Sequence, residues 1–341
     1  MTKRLLPVFG VIGVLVAGCG SAPAHPVAKP VSAPSPLASS SVPSPAAAKP
    51  AAPKATDPLT GLAPRHSPIV VIKVDNATTA RRYQRGLGHA AIVYQELVES
   101  GQTRFAAVFD NAYDGEVGPI RSVRETDLEL LPEYGRVAVA FSGGNSGIKG
   151  QFRSAVRSGM LLDASYDVLP ADYRLAEQRV DARNFFSTPA RLAAASNSAT
   201  PTDIGLRFGP LAGGTPASSA TVPFSDMMVV GVRYRSDGTY AILQDGSTMP
   251  GVAPANVVIQ YVPIKRGRYV DVLGAPSPYT VTLGEGNALV LRDGQMVHAT
   301  WKRSAATSGT RYLDSHGRDV ALKAGSTWVL LVPSSRTASV S

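Results

Sequence analysis

Two arginines stand at the start of a predicted helix in the stretch GPIRSVRETDLELLPEYG. Ser122 and Glu125 have the spacing of a capping box, which predicts a helix that begins near Val123 and ends at the following proline. Arg121 would then lie just outside the N-terminus and Arg124 in the first turn. Cations there oppose the helix macrodipole, at a cost of about 0.3–1 kcal/mol each when exposed. A bound anion would remove this mismatch, so the pair predicts an anion site.

A glycine-rich turn precedes a second predicted helix. RVAVAFSGG is typical of a strand, and residues 146–159 have the pattern of a helix that follows it. GGNSGIK lacks the Walker spacing, which argues against a nucleotide P-loop. Free backbone N–H groups at a helix start favour an anion, although such a turn requires glycine backbone angles in any case. The residues of this turn that we predict to contact an anion are Gly143, Gly144, Asn145 and Lys149.

Carboxylates near strand ends are suited to orient arginines. Asp75 directly follows the β-rich run PIVVIKV. The runs AAIVYQELVE and TRFAAVF flank a Ser-Gly-Gln loop and predict a hairpin, in which Glu96 is the diagonal neighbour of Arg104 on one face. We therefore predict that Arg104 contacts the anion together with Arg121 and Arg124, and that the two carboxylates orient these arginines.

The same residues support two other interpretations. In a phosphoryl or glycosyl-phosphate transferase, Asp75 or Glu96 would act as a base or hold a divalent cation. In a structural interaction module, the arginines would be paired locally, for example Arg124 with Asp127. The five histidines show no metal-binding spacing and no serine triad can be assembled, so we predict no metal or cofactor and name no catalytic residue.

The N-terminus resembles a bacterial lipoprotein signal. Residues 1–18 combine a basic start with an apolar run that is too short to span a bilayer. The VAGC sequence that ends at Cys19 looks like a lipobox, and this is the only cysteine of the chain. An ordinary secretory signal is the alternative. Residues 19–56 are rich in Pro, Ala and Ser and contain no acid, which predicts a disordered tether. We predict a lipid-anchored protein on the extracytoplasmic face of the cell membrane.

The basic composition is a weak argument for nucleic acid. The formal net charge is +9, but residues 1–56 hold five basic residues and no acid, so the remainder carries only +4. Tether lysines near anionic lipid or wall polymer account for the excess. We therefore predict no nucleic-acid partner.

Two folded domains follow the tether, which together predict an α+β protein. In residues 57–205 strands alternate with helices, a pattern that favours a layered α/β domain. In residues 221–335 short strand-like runs are separated by turns such as Asp-Gly, which predicts a mostly antiparallel all-β domain. The stretch between them is rich in Gly, Pro and Ser.

Several blocks in a fixed order resemble the YerB-like family of bacterial lipoproteins. The blocks are GLGHAAIVYQELVESGQTRFAAVF, GPIRSVRETDLELLPEYGRVAVAFSGG, DARNFFST and ALVLRDGQMVHATWKR, within a match from about Pro58 to Pro333. The resemblance implies an N-terminal domain of unknown function, a separate C-terminal domain and an envelope location, without an established activity. The family commonly has histidine where this chain has Arg183, whereas Asn184 keeps its place and joins the predicted site.

The order of elements is also similar to that of LytR-CpsA-Psr phosphotransferases, which hold polyprenyl pyrophosphates with arginines. That similarity implies an anion of the cell envelope. We therefore predict that the α/β domain binds a phosphorylated lipid or cell-wall fragment. The β domain would pack beside this site or bind an envelope protein. Whether any reaction is catalysed stays open.

Overall fold

A computed structural model of the chain describes residues 56–176, 184–270 and 274–341. The predicted signal segment, Cys19 and Arg183 lie outside the described residues, as does all but the last residue of the tether. The described residues all fall within one compact unit. Over these ranges no helix has both the length and the apolar character needed to cross a bilayer.

Strands predominate in the first part of the described chain. The strands are β1 Val70–Asp75, β2 Ile92–Leu97, β3 Thr103–Phe109, β4 Val117–Ile120, β5 Val137–Ala140, β6 Leu161–Asp163, β7 Arg174–Leu175 and β8 Phe185–Ser187. The α-helices are α1 Asp127–Leu130, α2 Ser146–Arg157 and α3 Pro189–Ala195. Short 3₁₀ turns cover Arg81–Tyr83, Leu87–His89, Glu99–Gly101, Leu131–Tyr134 and Pro170–Asp172.

The second part of the described chain is built of strands. They are β9 Thr215–Pro216, β10 Ser219–Ser225, β11 Met228–Tyr234, β12 Tyr240–Gln244, β13 Ser247–Thr248, β14 Asn256–Val262, β15 Ile264–Val270, β16 Pro276–Thr280, β17 Gly284–Arg292, β18 Gln295–Arg303, β19 Arg311–Leu313, β20 Thr327–Pro333 and β21 Ser339–Val340. Most of their pairings are antiparallel, as the sequence predicts for residues 221–335.

One large sheet contains strands from both parts of the chain, in the order β19-β18-β17-β14-β20-β2-β3-β1-β4-β8-β7. The junction is β20, which runs parallel to both β14 and β2. Buried apolar side chains cover both faces of this sheet. The two predicted domains are therefore joined by backbone hydrogen bonds rather than placed side by side.

Two smaller sheets complete the fold. β10 to β13 and β21 form a five-stranded antiparallel sheet. β15 and β16 pair only with each other and form a two-stranded ribbon. This ribbon is held on the first part of the chain, because the carboxylate of Glu129 accepts hydrogen bonds from Thr282 N (2.6 Å), Thr282 Oγ1 (2.8 Å) and the hydroxyl of Tyr279.

The layered α/β description of residues 57–205 is not confirmed. The helices are few, with 4, 12 and 7 residues in α1, α2 and α3. The predicted helix near Val123 is wrong, since α1 begins only at Asp127 and has no side-chain cap. The physical reason is a tertiary contact. Glu125, the expected capping-box acid, accepts instead from the backbone N–H of Arg268 in the ribbon, at 3.0 Å.

Helix α2 agrees closely with the prediction for residues 146–159. Its apolar positions Ile148 and Phe152 are four residues apart, so they lie on one face, and both are buried. Phe152 packs edge-on against Phe141, with ring centroids 4.8 Å apart. The Oδ1 atom of Asn145 accepts from Gly147 N at 2.8 Å and caps the helix. The glycine turn is therefore fixed in place at a capped helix start.

Candidate functional site

The arginine cleft lies beside β1, where the neighbours of that strand change. β5 pairs with the first half of β1 and β4 only with its end, so the carboxyl ends of β4 and β5 meet there. Such a change of neighbours is a common ligand position in α/β sheets. The cleft has a volume of about 460 Å³ and is lined by Glu99, Arg104, Arg121, Ser122, Arg124, Gly144, Asn145, Ser146, Ile148, Val270 and Ser277.

Arg104 is the innermost cation of the cleft and is only 6% exposed. In the sheet it lies between β1 and β2, directly opposite Asp75 on one side and Glu96 on the other. Its Nη2 atom lies 3.4 Å from the Asp75 carboxylate, while its buried Nε has no hydrogen-bond partner among the described residues. Burial, followed by the charge of Arg124, lowers the pKa of Arg104 to about 10. The group remains a cation at neutral pH, with donor capacity to spare.

The other two arginines enter the cleft from the segment after β4. Arg121 Nε lies 3.2 Å from the carboxylate of Asp75, so this acid serves two guanidinium groups. Arg124 donates to Glu99 Oε2 from Nε at 3.2 Å and from Nη2 at 2.8 Å. The three lining arginines are thus paired with two carboxylates, Asp75 and Glu99.

Glu99 remains ionised although its side chain is largely buried in the wall of the cleft. Burial acts to raise the pKa of Glu99, but the charge of Arg124 and hydrogen bonds from Ser277 and Arg124 outweigh burial, so the pKa lies below its usual value. The Ser277 hydroxyl donates to Glu99 from the ribbon, across 178 positions of sequence. The ribbon therefore supplies part of the cleft through Ser277 and Val270.

The glycine turn forms the opposite wall. Ser146 and Ile148 belong to the first turn of α2, whose leading N–H groups have no intrahelical acceptor. Gly144 has a φ of 148°, and a Cβ there would lie 3.2 Å from Val123 Cγ1, so only glycine suits this close approach. The start of α2 and the three arginines therefore line one space.

The structure places three predicted contact residues elsewhere. Gly143 precedes the lining part of the turn. Lys149 reaches away to the carboxylate of Asp167. Asn184 is fully buried ahead of β8, where its carbonyl accepts from Ala176 N at 2.8 Å. Arg104, Arg121, Arg124, Gly144 and Asn145 are the predicted residues that do line the cleft.

Glu96 has a different partner from the one predicted. Its carboxylate accepts from the ammonium of Lys73 rather than from an arginine. Lys73 also donates to Asp127 Oδ1 at 2.6 Å, and all three side chains are buried. Glu96 lies on the same face of the sheet as Asp75, Arg104 and Lys73, and it is the ammonium of Lys73 that binds its carboxylate. Glu99, which the sequence analysis did not single out, orients Arg124 instead.

The lining residues suit anion binding better than proton transfer. Among the described residues no group of three or more His, Cys, Asp or Glu side chains is placed to hold a metal ion. Asp75 is engaged by Arg104 and Arg121, and Glu96 by Lys73. Guanidinium groups and free N–H groups of a helix start are the donors that recognise phosphate and carboxylate.

Comparisons with known proteins identify both parts of the chain. Residues 59–202 match the model described as protein of unknown function (DUF3048) N-terminal domain, and residues 221–329 match its C-terminal domain, which bears out two domains. A curated relative, "Putative lipoprotein YerB" of Bacillus subtilis (strain 168), is 37% identical over 102 residues, 28% of this chain and 30% of the relative. The aligned segment thus spans less than a third of that relative.

A solved structure shares the fold. The crystal structure of YerB protein from Bacillus subtilis matches with a TM-score of 0.69 at 22% sequence identity, covering 84% of this chain and 100% of that chain.

Proposed function

Because the chain belongs to the YerB-like family, which pairs the two DUF3048 domains, we propose that it is a lipid-anchored envelope protein that binds an anionic ligand in the arginine cleft. The anchor would be Cys19, on the extracytoplasmic face of the membrane. The ligand would be a phosphorylated lipid or a cell-wall fragment, recognised through its phosphate groups.

The observation that carries this proposal is the burial of Arg104 beside two further arginines. A guanidinium that is 6% exposed loses most of its hydration, and repulsion from Arg121 and Arg124 adds to that cost. Asp75 offsets part of it but is shared with Arg121. A phosphate group between the arginines would bring further negative charge to them and would accept hydrogen bonds in a bidentate arrangement.

The two other interpretations fit less well. A transferase would need a free carboxylate, whereas Asp75 and Glu96 are held by cations. An interaction module with locally paired arginines would need about one carboxylate for each arginine. Arg124 pairs with Glu99 instead of Asp127, and Asp75 is divided between Arg104 and Arg121.

The test is calorimetric titration with inorganic pyrophosphate. The double variant Arg121→Gln/Arg124→Gln removes two charges from the more accessible part of the cleft and leaves shorter, neutral polar side chains. We expect its affinity to fall by roughly tenfold or more per arginine, since a charged hydrogen bond is worth about 1.5–3 kcal/mol. The matched control Arg233→Gln/Arg235→Gln removes two exposed charges, one near the end of β11 and one directly after it, and should bind like the unmodified chain. Equal affinity of the two double variants, or no binding by the unmodified chain, would overturn the proposal.

A further inference from the structure

A second cleft adjoins the arginine cleft. We call it the ribbon groove, because strand β15 of the ribbon forms one wall. It has a volume of about 490 Å³ and is lined by Glu125, Leu128, Glu129, Gln151, Lys265, Arg266, Arg268, Tyr279, Leu283 and Ala306. No part of the predicted site includes these residues.

The two clefts are adjacent, and nearby residues of three elements line one cleft or the other. On the segment after β4, Arg124 lines the first cleft and Glu125, the next residue, lines the second. On α2 the corresponding residues are Ile148 and Gln151, one helical turn apart and separated by about 4.5 Å of axial rise. On β15, residues 270 and 268 are two positions apart, about 7 Å along the strand. Between the clefts α2 and β15 touch, because Asn145 Nδ2 donates to the carbonyl of Val270 at 2.8 Å and Gly147 packs against the ring of Tyr269. A linear molecule that occupies both clefts therefore crosses over this contact.

The cations of the ribbon groove are exposed, and one of them, Arg268, is already paired with Glu125. Lys265, Arg266 and Arg268 are exposed, and the side chain of Arg268 is 74% accessible. The two acids of the groove are occupied by the ribbon. Glu125 accepts from the backbone N–H of Arg268 and lies 3.3 Å from its Nε. Glu129 accepts from Tyr279, Thr282 and Leu283, as four hydrogen bonds, and has little capacity left for a competing cation.

We infer that the ligand of this site is a linear polyanion, a chain of several phosphate groups whose successive charges occupy the arginine cleft and the ribbon groove. This inference rests on the proposed function and names the class of its ligand. One terminal or internal phosphate sits among Arg104, Arg121 and Arg124. The next charges along the chain follow β15 past Arg268 to Lys265 and Arg266. A lipid headgroup with a single phosphate fills only the first of the two clefts.

The experiment compares chain lengths. Pyrophosphate and a medium-chain inorganic polyphosphate are titrated into the full chain by calorimetry, with affinities expressed per binding site after correction for the number of phosphates. We expect polyphosphate to bind more than tenfold tighter than pyrophosphate. In Lys265→Gln/Arg266→Gln that gain should be lost while pyrophosphate affinity stays unchanged, because neither residue lines the arginine cleft.

The controls separate the two proposals. Arg121→Gln/Arg124→Gln should weaken both probes, and Arg233→Gln/Arg235→Gln should weaken neither. Equal corrected affinities for the two probes, or a loss of pyrophosphate binding in Lys265→Gln/Arg266→Gln, would overturn the polyanion inference and leave a single-anion site. Polyphosphate binding that depends on the ribbon residues without any pyrophosphate binding would instead overturn the arginine cleft as the primary site. If neither probe binds, both proposals are wrong.

Discussion

Lys73, Glu96 and Asp127 form a fully buried charge cluster directly behind the arginine cleft. One cation here faces two carboxylates, so the cluster is neutral only when one acid holds a proton. Burial, followed by repulsion from Asp127, raises the pKa of Glu96 to about 7, although the charge of Lys73 acts against this rise. At the residue scale the base of the cleft is therefore sensitive to pH near neutrality.

This raised pKa predicts that stability declines between pH 5 and pH 8. A carboxyl group that holds its proton more tightly in the folded than in the unfolded chain contributes stability below the unfolded value, and that contribution is lost as pH rises through about 7. Relative to Glu96→Gln, which cannot ionise, the unmodified chain should lose roughly 2–3 kcal/mol of unfolding free energy over this range. Urea denaturation at several pH values measures it.

The control is Glu285→Gln, which removes an exposed carboxylate whose pKa lies below its usual value because of Lys302. It should keep the pH profile of the unmodified chain. A Glu96→Gln profile parallel to that of the unmodified chain would show that Glu96 stays ionised throughout.

At the scale of elements, the residue that caps helix α2 also forms a hydrogen bond to the ribbon. Asn145 caps the helix with Oδ1 and donates from Nδ2 to the carbonyl of Val270 at 2.8 Å. The single side chain thus fixes the glycine turn and the end of β15 together. A cap with no such second bond exists at α3, where Thr188 Oγ1 accepts from Arg191 N at 3.2 Å.

The pair of caps gives a matched test. Asn145→Ala and Thr188→Ala should each cost about 1 kcal/mol of unfolding free energy for the lost cap. Asn145→Ala should cost roughly 0.5–1.5 kcal/mol more for the bond to the ribbon, and should also weaken pyrophosphate binding several-fold. Chemical denaturation and calorimetric titration measure the two effects. If both variants bind pyrophosphate equally well, Asn145 has no part in shaping the cleft.

Local signals predicted elements where the deciding contacts are local. TRFAAVF is strand β3 over its whole length, and α2 has its apolar positions and its asparagine cap within the predicted segment. The helix expected near Val123 failed because its capping acid and its first-turn acid both have distant partners. Glu125 bonds the ribbon, 143 residues away, and Asp127 bonds Lys73 of β1. No spacing rule within the segment contains that information.

The same limit applies to the candidate site. The arginines and the glycine turn were recognisable because cations at a predicted helix start conflict with the macrodipole. Glu99 and Ser277 were not recognisable as site residues, since a glutamate in a hairpin or a serine in a strand does not by itself indicate a site. They become part of the cleft only where the ribbon folds onto the β2–β3 hairpin.

At the scale of the whole molecule, the continuous sheet makes two sequence domains into one folding unit. β20 comes from the end of the chain but is inserted between β14 and β2, with Tyr94 opposite Val329. Trp328 of this strand is buried, meets Phe105 edge-on with ring centroids 5.2 Å apart, and donates from Nε1 to Gln95 Oε1 at 3.3 Å. The core of the first domain is thus incomplete without the last strands of the second.

This arrangement predicts a single cooperative unfolding transition, in which damage at β20 is felt throughout the sheet. Trp328→Ala should cost about 3–5 kcal/mol, because it leaves a large cavity beside Phe105. Since unfolding is shared, amide hydrogen exchange should accelerate alike in β1 and β3 of the first domain and in β17 and β18 of the second. The surface variant Met227→Ala, at a side chain 67% exposed, should change neither. Acceleration confined to β17 and β18, or two separate calorimetric transitions, would mean that the domains fold independently.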